Sequence, residues 1–337
     1  MTRLRVVDAG AASALRSQAL WHGIAEAMEP GDPPVLSFCV PSEPYVSIGY
    51  HRRLDELDHG ACRDLGLRVV RRRIGGGPVY LDCDQLLFQI TMPARRAPAA
   101  VDRLYAELLG PAVAAFRALG ADARLDGLND IAAGERRLSG TGAGRIGDAV
   151  VVVGNVNFRF PHARMARVLA LPGEDMRSEC LRLMRRHVGS LRGEGIAAGP
   201  AEARAALRDA YARAVAVRAV EDGLSDAESA AVAGWERRMA TEEWTAGPVV
   251  PRPSARQVKV RDGVWVVDGD AGGLRVRATF SGGRVASAHV GGGTGGRLAQ
   301  ALVGAAADGA ALRQALAPFG SDGERVVRAL EPGLVVR

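Results

Sequence analysis

The chain has 337 residues, of which 47% are hydrophobic and 24% are charged, and its formal net charge at pH 7 is +6. This composition is typical of a folded protein and excludes a disordered or fibrous one, while the length indicates two domains. No run of about 18 apolar residues occurs, so we expect no transmembrane helix. The first residues include no apolar signal segment, so we expect a cytoplasmic protein.

Cysteine and lysine usage narrows the chemistry further. The four cysteines form no Cys-x-x-Cys pair, which excludes a disulfide framework and a cysteine-rich zinc site. All basic residues except Lys259 are arginine, so only Lys259 can serve as a catalytic lysine. The chain shows neither a dense basic patch nor a known nucleic-acid motif, so we expect no nucleic-acid partner.

The hydrophobic pattern predicts strands and helices that do not alternate strictly along residues 1–245. Such an order favours an α+β fold over a doubly wound sheet. We predict strands at 4–8, 35–40, 46–49, 79–81, 86–92 and 150–160 and one that starts at 69, and helices at 12–28, 54–65, 101–119, 163–170, 175–186, 201–220 and 225–240.

A change in composition marks a second domain near the C-terminal end. Residues 246–256 contain Gly247 and three prolines and are predicted to form a linker. Three β-like segments follow at 257–267, 274–280 and 284–290, joined by glycine-rich turns, and helices complete the chain. We therefore predict a small α/β accessory domain over 257–337.

The first candidate site is a run of three arginines and three glycines, from Arg71 to Gly77. Successive glycines let the backbone approach a ligand and point N–H groups at an anion. Adjacent guanidinium groups can hold a phosphate or a carboxylate. The run is neither a P-loop nor a dinucleotide-binding fingerprint, because no Gly-Lys-Ser/Thr and no helix follow. A glycine-rich hairpin with a solvated basic edge explains it equally well.

The second candidate site begins at Asn129 and Asp130 and continues to Ser139, Gly140 and Thr141. An amide and a carboxylate offer two oxygen ligands suited to Mg²⁺. The alternative is a polar β-hairpin. The chain has three asparagines, and two of them lie elsewhere in the sequence, which slightly favours the hairpin.

Those two asparagines, Asn155 and Asn157, follow Gly154 in a segment that is strongly β-forming. Buried amides on a strand usually bond backbone or ligand groups. The favoured interpretation is nevertheless an exposed polar face that alternates with apolar residues.

A cysteine and a histidine form the last candidate pair. Cys180 and His187 are seven residues apart, a spacing that places both on one face of a helix. A Cys–His pair is a candidate nucleophile. The favoured alternative is a histidine on the surface or with its hydrogen bonds satisfied.

In this order and at these spacings the segments resemble the lipoate–protein ligase A family, which is related to biotin protein ligases and octanoyltransferases. The family pattern is approximately Arg-Arg-x-x-Gly-Gly-Gly-x-Val-x-His-Asp, then Asn-Asp-Ile/Leu, then Gly-x-Arg-Lys-Ile/Val-Ser-Gly, then a Gly-Thr-Leu-Leu type strand. The matching segments here are 71–82, 129–131, 134–140 and 154–158, with weaker likeness at 188–191 and 243–247.

The resemblance implies a mixed sheet of the class II synthetase and biotin protein ligase type with flanking helices. It also implies that lipoate is activated with ATP and Mg²⁺ to lipoyl-AMP, and that the acyl group then passes to a lysine of an acidic lipoyl domain. The implied partners are lipoyl carrier domains of 2-oxoacid dehydrogenase complexes or the glycine cleavage H protein.

Site residues follow from the resemblance motif by motif. Arg137 stands at the motif lysine and is the expected catalytic cation, and Arg72 would help it hold carboxylate and phosphate. Asn129 and Asp130 would position the nucleotide and, more weakly, Mg²⁺. The other expected binding residues are Gly75, Gly76, Gly77, Val79, Asp82, Ser139, Gly140, Thr141 and Gly154.

The chain departs from the family pattern at three positions. Arg137 replaces the motif lysine, Leu81 replaces the motif histidine, and Val153 replaces a residue that is often histidine. A guanidinium is planar and longer than an ammonium group, so the first change is not conservative. Three hypotheses follow: an ATP-dependent lipoate ligase, which we favour; an ATP-independent octanoyl or lipoyl transferase that uses Cys180; and a non-catalytic protein that binds ligand or carrier.

Overall fold

The computed structural model describes residues 3–215, 217–251 and 253–334. Contacts within the chain define two compact units, Met1–Leu169 with Arg185–Val250 and Ala170–Met184 with Pro251–Arg337. The second unit thus includes Ala170–Met184 from the middle of the chain. The sequence prediction divided the chain instead into three continuous segments, 1–245, 246–256 and 257–337. Of the sequence-based assignments, residues 216 and 252 and the extreme ends lie outside the described residues.

The first unit contains twelve strands and most of the helices. The strands are β1 (Arg3–Ala12), β2 (Val35–Pro41), β3 (Tyr45–Gly49), β4 (Arg68–Arg72), β5 (Val79–Leu81), β6 (Gln85–Pro93), β7 (Ala123–Asp126), β8 (Asp130–Ala133), β9 (Arg136–Gly140), β10 (Gly142–Ile146), β11 (Ala149–Asn157) and β12 (Arg218–Glu221). Its helices are α1 (Ala14–Glu26), α2 (His59–Asp64), α3 (Val101–Ala118), α4 (His162–Val168), α6 (Pro200–Ala214), α7 (Asp226–Met239) and α8 (Glu242–Ala246), whereas α5 (Glu174–His187) lies in the second unit up to Met184. Short 3-10 turns lie at Leu54–Glu56, Ala94–Arg96 and Arg192–Glu194.

A six-stranded mixed sheet in the order β10-β11-β6-β2-β1-β12 forms the centre of this unit. β1 pairs in parallel with β2 and β12, whereas β6 is antiparallel to both β2 and β11. Successive side chains on a strand point to opposite faces. Accordingly Leu36 and Phe38 join a hydrophobic cluster with α3 and α6, while Val35 and Cys39 join another with α1 and α7. The predicted α+β class with a mixed sheet and flanking helices is confirmed.

Two small sheets carry the candidate motifs. The first has the order β4-β3-β5, with β3 parallel to β4 and antiparallel to β5. The second is the antiparallel sheet β7-β8-β9.

Two predicted helices are wrong in part. The helix predicted to reach residue 220 ends at Ala214, and the segment Arg218–Glu221 instead pairs in parallel with β1. The segment 54–65 is not one helix but a 3-10 turn followed by α2. The break occurs because the Asp58 side chain accepts a hydrogen bond from the N–H of Ala61 at 2.8 Å and so caps a new helix.

In the second unit β13 (Ala255–Arg261), β14 (Val264–Ala271), β15 (Leu274–Ser281) and β16 (Arg284–Val290) form an antiparallel meander in chain order. The single segment predicted at 257–267 is two strands, because Gly263 adopts a positive φ of 71° in a tight turn. The helices of this unit are α9 (Gly295–Leu302), α10 (Gly309–Leu316) and α11 (Gly320–Leu334), with a 3-10 turn at Ala317–Phe319. Among the helices in the described ranges, none is long and apolar enough to span a bilayer.

Candidate functional site

The glycine loop, residues 73–78, connects β4 to β5, and hydrogen bonds from the Arg72 side chain hold it in place. The Arg72 guanidinium donates hydrogen bonds to the carbonyl oxygens of Ser47 at 3.0 Å, Gly75 at 2.8 Å and Gly77 at 2.9 Å. Burial lowers the pKa of Arg72 to about 10, so the group remains charged at neutral pH. In this structure Arg72 therefore fixes the shape of the loop.

Glycine is required at particular positions of this loop. Gly76 has φ of +95°, and a Cβ there would lie 2.7 Å from the Arg72 guanidinium. A Cβ on Gly49 would lie 2.2 Å from the carbonyl oxygen of Gly76. Gly75 and Gly77 are exposed, and a Cβ on either meets no atom within 4 Å. The loop backbone is therefore closely packed where Gly76 meets Gly49 and Arg72, and it is open to solvent at Gly75 and Gly77.

Arg71 does not face the loop. Its side chain is fully buried and donates to the carbonyl oxygens of Gly49, Tyr50, Arg52, Thr245 and Ala246 at 2.7–3.0 Å. The Trp244 indole N–H donates in turn to the carbonyl oxygen of Arg71 at 2.9 Å. Arg71 therefore binds α8 to β3 and β4, which gives the segment 243–247 a structural role.

His22, which the sequence analysis did not single out, lies under the start of the loop. Its Nε2 accepts a hydrogen bond from the backbone N–H of Arg73 at 3.0 Å, and its Nδ1 lies 2.7 Å from the carbonyl oxygen of Gln18. This geometry requires a neutral ring with the proton on Nδ1. Burial lowers the pKa of His22 to about 3, so the ring stays neutral. The available signal was the polar pair Gln18 and His22, four residues apart on the buried face of a predicted helix.

The second motif forms the hairpin of β8 and β9. Nη1 of Arg137 lies 3.9 Å from Oδ1 of Asp130. The Asp130 side chain is 4% exposed and the Arg137 side chain 20% exposed, so the carboxylate is buried while part of the guanidinium reaches solvent. Asp130 lies opposite Gly140 in the register of the two strands.

Ile74 of the glycine loop contacts the strand that follows the second motif. A Cβ on Gly142 would lie 3.2 Å from the Ile74 side chain, and one on Gly144 would lie 2.6 Å from it. The loop therefore packs on β10, which begins one residue after Thr141. Sequence spacing alone could not show this contact, because about 65 residues of chain separate the segments.

Asn129 and Thr141 form a reciprocal pair. The Asn129 amide donates to the carbonyl oxygen of Thr141 at 2.6 Å, and the Thr141 hydroxyl donates to the carbonyl oxygen of Asn129. Within the described residues, no three or more His, Cys, Asp or Glu side chains are grouped so as to hold a metal. Because the Asp130 carboxylate pairs with Arg137, the side chains present do not by themselves fit Mg²⁺. We therefore assign no protein side chain as a metal ligand.

Asn155 and Asn157 lie on β11 and bond β9, so the favoured prediction of an exposed polar face is wrong. Asn157 is only 3% exposed and donates to the carbonyl oxygen of Leu138 at 3.0 Å. The Asn155 side-chain oxygen accepts from the N–H of Gly140 at 3.1 Å, and the Ser139 hydroxyl lies 3.3 Å from the N–H of Asn155. Ser139 and Gly140 are thus fixed from the neighbouring strand.

Of three further expected binding residues, Gly154 and Asp82 have local structural roles. A Cβ on Gly154 would lie 2.4 Å from the Phe88 ring, so close packing explains this glycine. Asp82 is buried, which raises the pKa of its carboxyl group, and it accepts from the N–H of Asp84 at 3.1 Å. Val79 is 36% exposed at the start of β5.

Cys180 is fully buried, and burial raises the pKa of its thiol to about 12. The thiolate is the nucleophilic form of cysteine, so almost none is present at neutral pH. His187 lies with Nδ1 3.4 Å from the carbonyl oxygen of Glu135. This environment is unfavourable for the predicted Cys–His nucleophile.

A surface cleft of about 660 Å³ lies beside the turn between β8 and β9. Its lining contains equal numbers of acidic and basic side chains, so its charge selects no class of ligand. These side chains are Asp122, Glu135, Glu194, Arg136, Arg185 and Arg186.

Comparison with known families agrees with the motifs. The model of the lipoyl protein ligase A/B catalytic domain matches residues 13–212, which is more than half of the chain and includes both motifs. The chain belongs to this family. The resemblance inferred from the sequence is thereby confirmed.

Two curated relatives differ in activity. An octanoyltransferase LipM from Moorella thermoacetica is 25% identical over 267 residues, which cover 71% of this chain and 96% of that protein. Subunit 1 of the lipoate-protein ligase A of Thermoplasma acidophilum is 26% identical over 238 residues, which cover 67% of this chain and 89% of that protein. The family therefore includes both transferases and ligases.

Solved structures show the same fold. The bipartite lipoate protein ligase of Thermoplasma acidophilum, described with its E2 lipoyl domain, superposes with a TM-score of 0.67 at 24% identity and covers 74% of this chain and 98% of that chain. LipL1 of P. falciparum in complex with lipoate superposes with a TM-score of 0.60 at 12% identity and covers 86% of this chain and 84% of that chain. At these identities the likeness shows the fold.

Proposed function

We propose that the chain activates lipoate or a similar acid with ATP and transfers the acyl group to a lysine of a lipoyl carrier domain. The observation that carries this proposal is the packing of the glycine loop on β10, which joins exposed loop backbone and the Arg137 hairpin in one region. A ligand with a carboxylate and a phosphate suits this region chemically, because backbone N–H groups and a partly exposed guanidinium both favour anions.

The reaction has two steps that need the same cation. In the first, a carboxylate oxygen of the acid attacks the α-phosphorus of ATP, the bond to the β-phosphate oxygen breaks, and pyrophosphate leaves. In the second, the lysine amine attacks the acyl carbon, AMP leaves, and the amine loses a proton. Arg137 donates to the developing negative charge on the acyl and phosphate oxygens, and the loop of Gly75, Gly76 and Gly77 supplies N–H donors.

The buried Asp130 carboxylate keeps Arg137 oriented without occupying it. At 3.9 Å the two groups form an ion pair beyond hydrogen-bond distance. The Arg137 side chain is 20% exposed, so part of its guanidinium can reach a ligand. This arrangement supports arginine as the substitute for the motif lysine.

The acceptor proposed is the acidic lipoyl domain of a 2-oxoacid dehydrogenase complex or the glycine cleavage H protein. A related ligase has been described with its E2 lipoyl domain, which supports this class of partner. We assign the chemistry to the first unit and propose the second as the accessory domain. Mass spectrometry of a carrier domain incubated with protein, lipoate and ATP tests the proposal, which expects a lipoylated lysine only when ATP is present.

A second candidate is an ATP-independent octanoyl or lipoyl transferase. The similarity to an octanoyltransferase that covers 71% of this chain favours it. The buried Cys180, with a thiol pKa raised to about 12, does not. Transfer from an octanoylated carrier without ATP would establish this activity, and its absence beside ATP-dependent lipoylation would leave the ligase.

A further inference from the structure

All three asparagines of the chain bond one segment of four residues, Leu138–Thr141. Asn157 donates to the carbonyl oxygen of Leu138, Asn155 bonds Ser139 and Gly140, and Asn129 bonds Thr141. Asn129 precedes β8, whereas the other two lie on β11, so the three come from two separate elements. We name this set of contacts the asparagine clamp.

The clamp compensates for irregular pairing of β9. β9 pairs with β8, and that register shifts between Ile131 and Ala132. An edge strand leaves backbone N–H and C=O groups unpaired, and such groups are costly when buried. Side-chain amides of β11 therefore bond backbone groups of β9 that a regular sheet would bond.

Asn155 is the centre of the clamp because its whole carboxamide is used. Its oxygen accepts from the N–H of Gly140, and its nitrogen lies 2.9 Å from Oε1 of Gln85 and 2.7 Å from Oδ1 of Asn157. Gln85 donates in turn to the carbonyl oxygen of Tyr80 at 3.1 Å. One chain of hydrogen bonds thus joins β5, which follows the glycine loop, to β9, which carries Arg137.

We infer that Asn155 is a positioning residue, which holds the segment from Arg137 to Gly140 in register with the glycine loop for acyl activation and transfer. This inference rests on the proposed function. Asn155 acts through Arg137 rather than on the reacting atoms. Arg137 itself is held at the backbone, where its carbonyl oxygen accepts from the N–H of Gly189 at 2.9 Å. We therefore expect loss of Asn155 to displace the hairpin rather than to unfold it.

The test uses the full chain with Asn155→Ala and the control Ser37→Ala. Ser37 donates to Oε1 of Gln89 at 2.7 Å, so the control removes one buried hydrogen bond in the same central sheet but away from β9. The first measurement is amide hydrogen exchange at Gly140, which does not depend on activity. The second is the kcat and KM of ATP-dependent acylation with lipoate.

Asn155→Ala should raise the exchange rate at Gly140 at least about tenfold and lower kcat by about 10- to 100-fold, because small misplacements of catalytic groups have effects of that size. KM should change much less. Ser37→Ala should leave Gly140 exchange and kcat as in the wild type. Asn155→Asp keeps the acceptor for the N–H of Gly140 but loses both donors. It should therefore retain slow amide exchange at Gly140 and have a kcat between those of Asn155→Ala and the wild type.

Wild-type exchange at Gly140 in Asn155→Ala, or a kcat equal to that of Ser37→Ala, would overturn the inference. If Asn155→Ala does not fold, a wild-type kcat in Asn155→Asp overturns it instead, because the link through Gln85 is then dispensable. If the wild type itself shows neither activation nor transfer, the proposed function is wrong and the catalytic part of the inference falls with it. Gly140 exchange then still reports whether the clamp exists, so the two failures are distinguishable.

Discussion

Arg137 and Asp130 face each other across the β8–β9 hairpin, with Nη1 and Oδ1 separated by 3.9 Å. The carboxylate is almost completely buried, whereas a fifth of the arginine side chain is exposed. A buried carboxylate needs a nearby positive charge, and Arg137, which we propose as the catalytic cation, supplies it here. The charge of Arg137 is thus both structural and available to a ligand.

Substitution of Arg137 separates charge from geometry. Arg137→Gln removes the charge but keeps hydrogen-bonding capacity, and we expect the rate of acyl activation to fall by about 100-fold or more, as for loss of other charge-stabilising donors. Arg137→Lys restores the family residue and should keep at least wild-type activity if the rest of the site is intact. Steady-state kinetics with lipoate and ATP check both. An inactive Arg137→Lys together with an active Arg137→Gln would contradict a role for this cation.

His22 should make stability depend on pH in a defined direction. Burial first, and then the nearby charges of Arg73, Arg72 and Arg238, lower the folded pKa from 6.5 to about 3. Between these two values the unfolded chain binds a proton that the folded protein does not, so acid favours unfolding. The free energy of unfolding should therefore fall as pH decreases from about 6.5 to about 3, by about 1 kcal/mol per pH unit from this group.

Denaturant unfolding of the wild type and His22→Phe at several pH values measures this contribution. The variant lacks the titrating ring, so its curve should be flatter over that window, and it should be less stable at neutral pH because the N–H of Arg73 loses its acceptor. His59→Gln, which removes an exposed imidazole from α2, is the matched control and should follow the wild type. Parallel curves for the wild type and His22→Phe would show that His22 is not held neutral.

The glycines of the loop should differ in their tolerance of a side chain. Gly76→Ala places a Cβ 2.7 Å from the Arg72 guanidinium at a positive φ, so we expect a loss of about 1–3 kcal/mol in unfolding free energy. Gly75→Ala meets no atom within 4 Å and serves as its matched control, with stability close to that of the wild type. Thermal or denaturant unfolding compares the two. Equal losses at both positions would mean that the loop does not adopt the described conformation.

Cys180 should be dispensable for chemistry. Its thiol pKa is raised to about 12 by burial, so Cys180→Ala should retain the wild-type rate of carrier acylation, with at most a modest loss of stability from the small cavity. Intact-mass analysis after incubation with octanoylated carrier should show no thioester on this residue. A thioester at Cys180, or loss of transfer in Cys180→Ala without unfolding, would favour the transferase.

Segments with a regular hydrophobic pattern were predicted well, because the order of apolar and polar residues within the segment itself indicates which side chains are buried. The helix predicted at 101–119 is α3 (Val101–Ala118), and the strand predicted at 150–160 is β11 (Ala149–Asn157). Strand β12 was missed because its formation depends on parallel pairing with β1, which lies more than 200 residues away. Local propensity contains no information about such a partner.

In the candidate site, too, features that depend on local sequence were predicted and features that depend on long-range contacts were not. The family resemblance predicted ligand-binding roles for Arg72, Arg137 and the glycines. Those of Arg137 and the glycines stay predictions, whereas the observed hydrogen bonds of Arg72 go to loop carbonyl oxygens. The contributions of His22 and Asn155 depend on long-range contacts and were not predicted. The low number of asparagines was a usable signal, but the sequence placed them in two segments whose meeting only the fold reveals.

The most direct test of the proposed activity is ATP–pyrophosphate exchange with a panel of lipoate, octanoate and biotin, because it reports acid activation without the acceptor. We expect exchange that requires both ATP and lipoate or octanoate, and that falls about 100-fold in Arg137→Gln. Absence of exchange with every acid, or equal exchange in the wild type and Arg137→Gln, would contradict it.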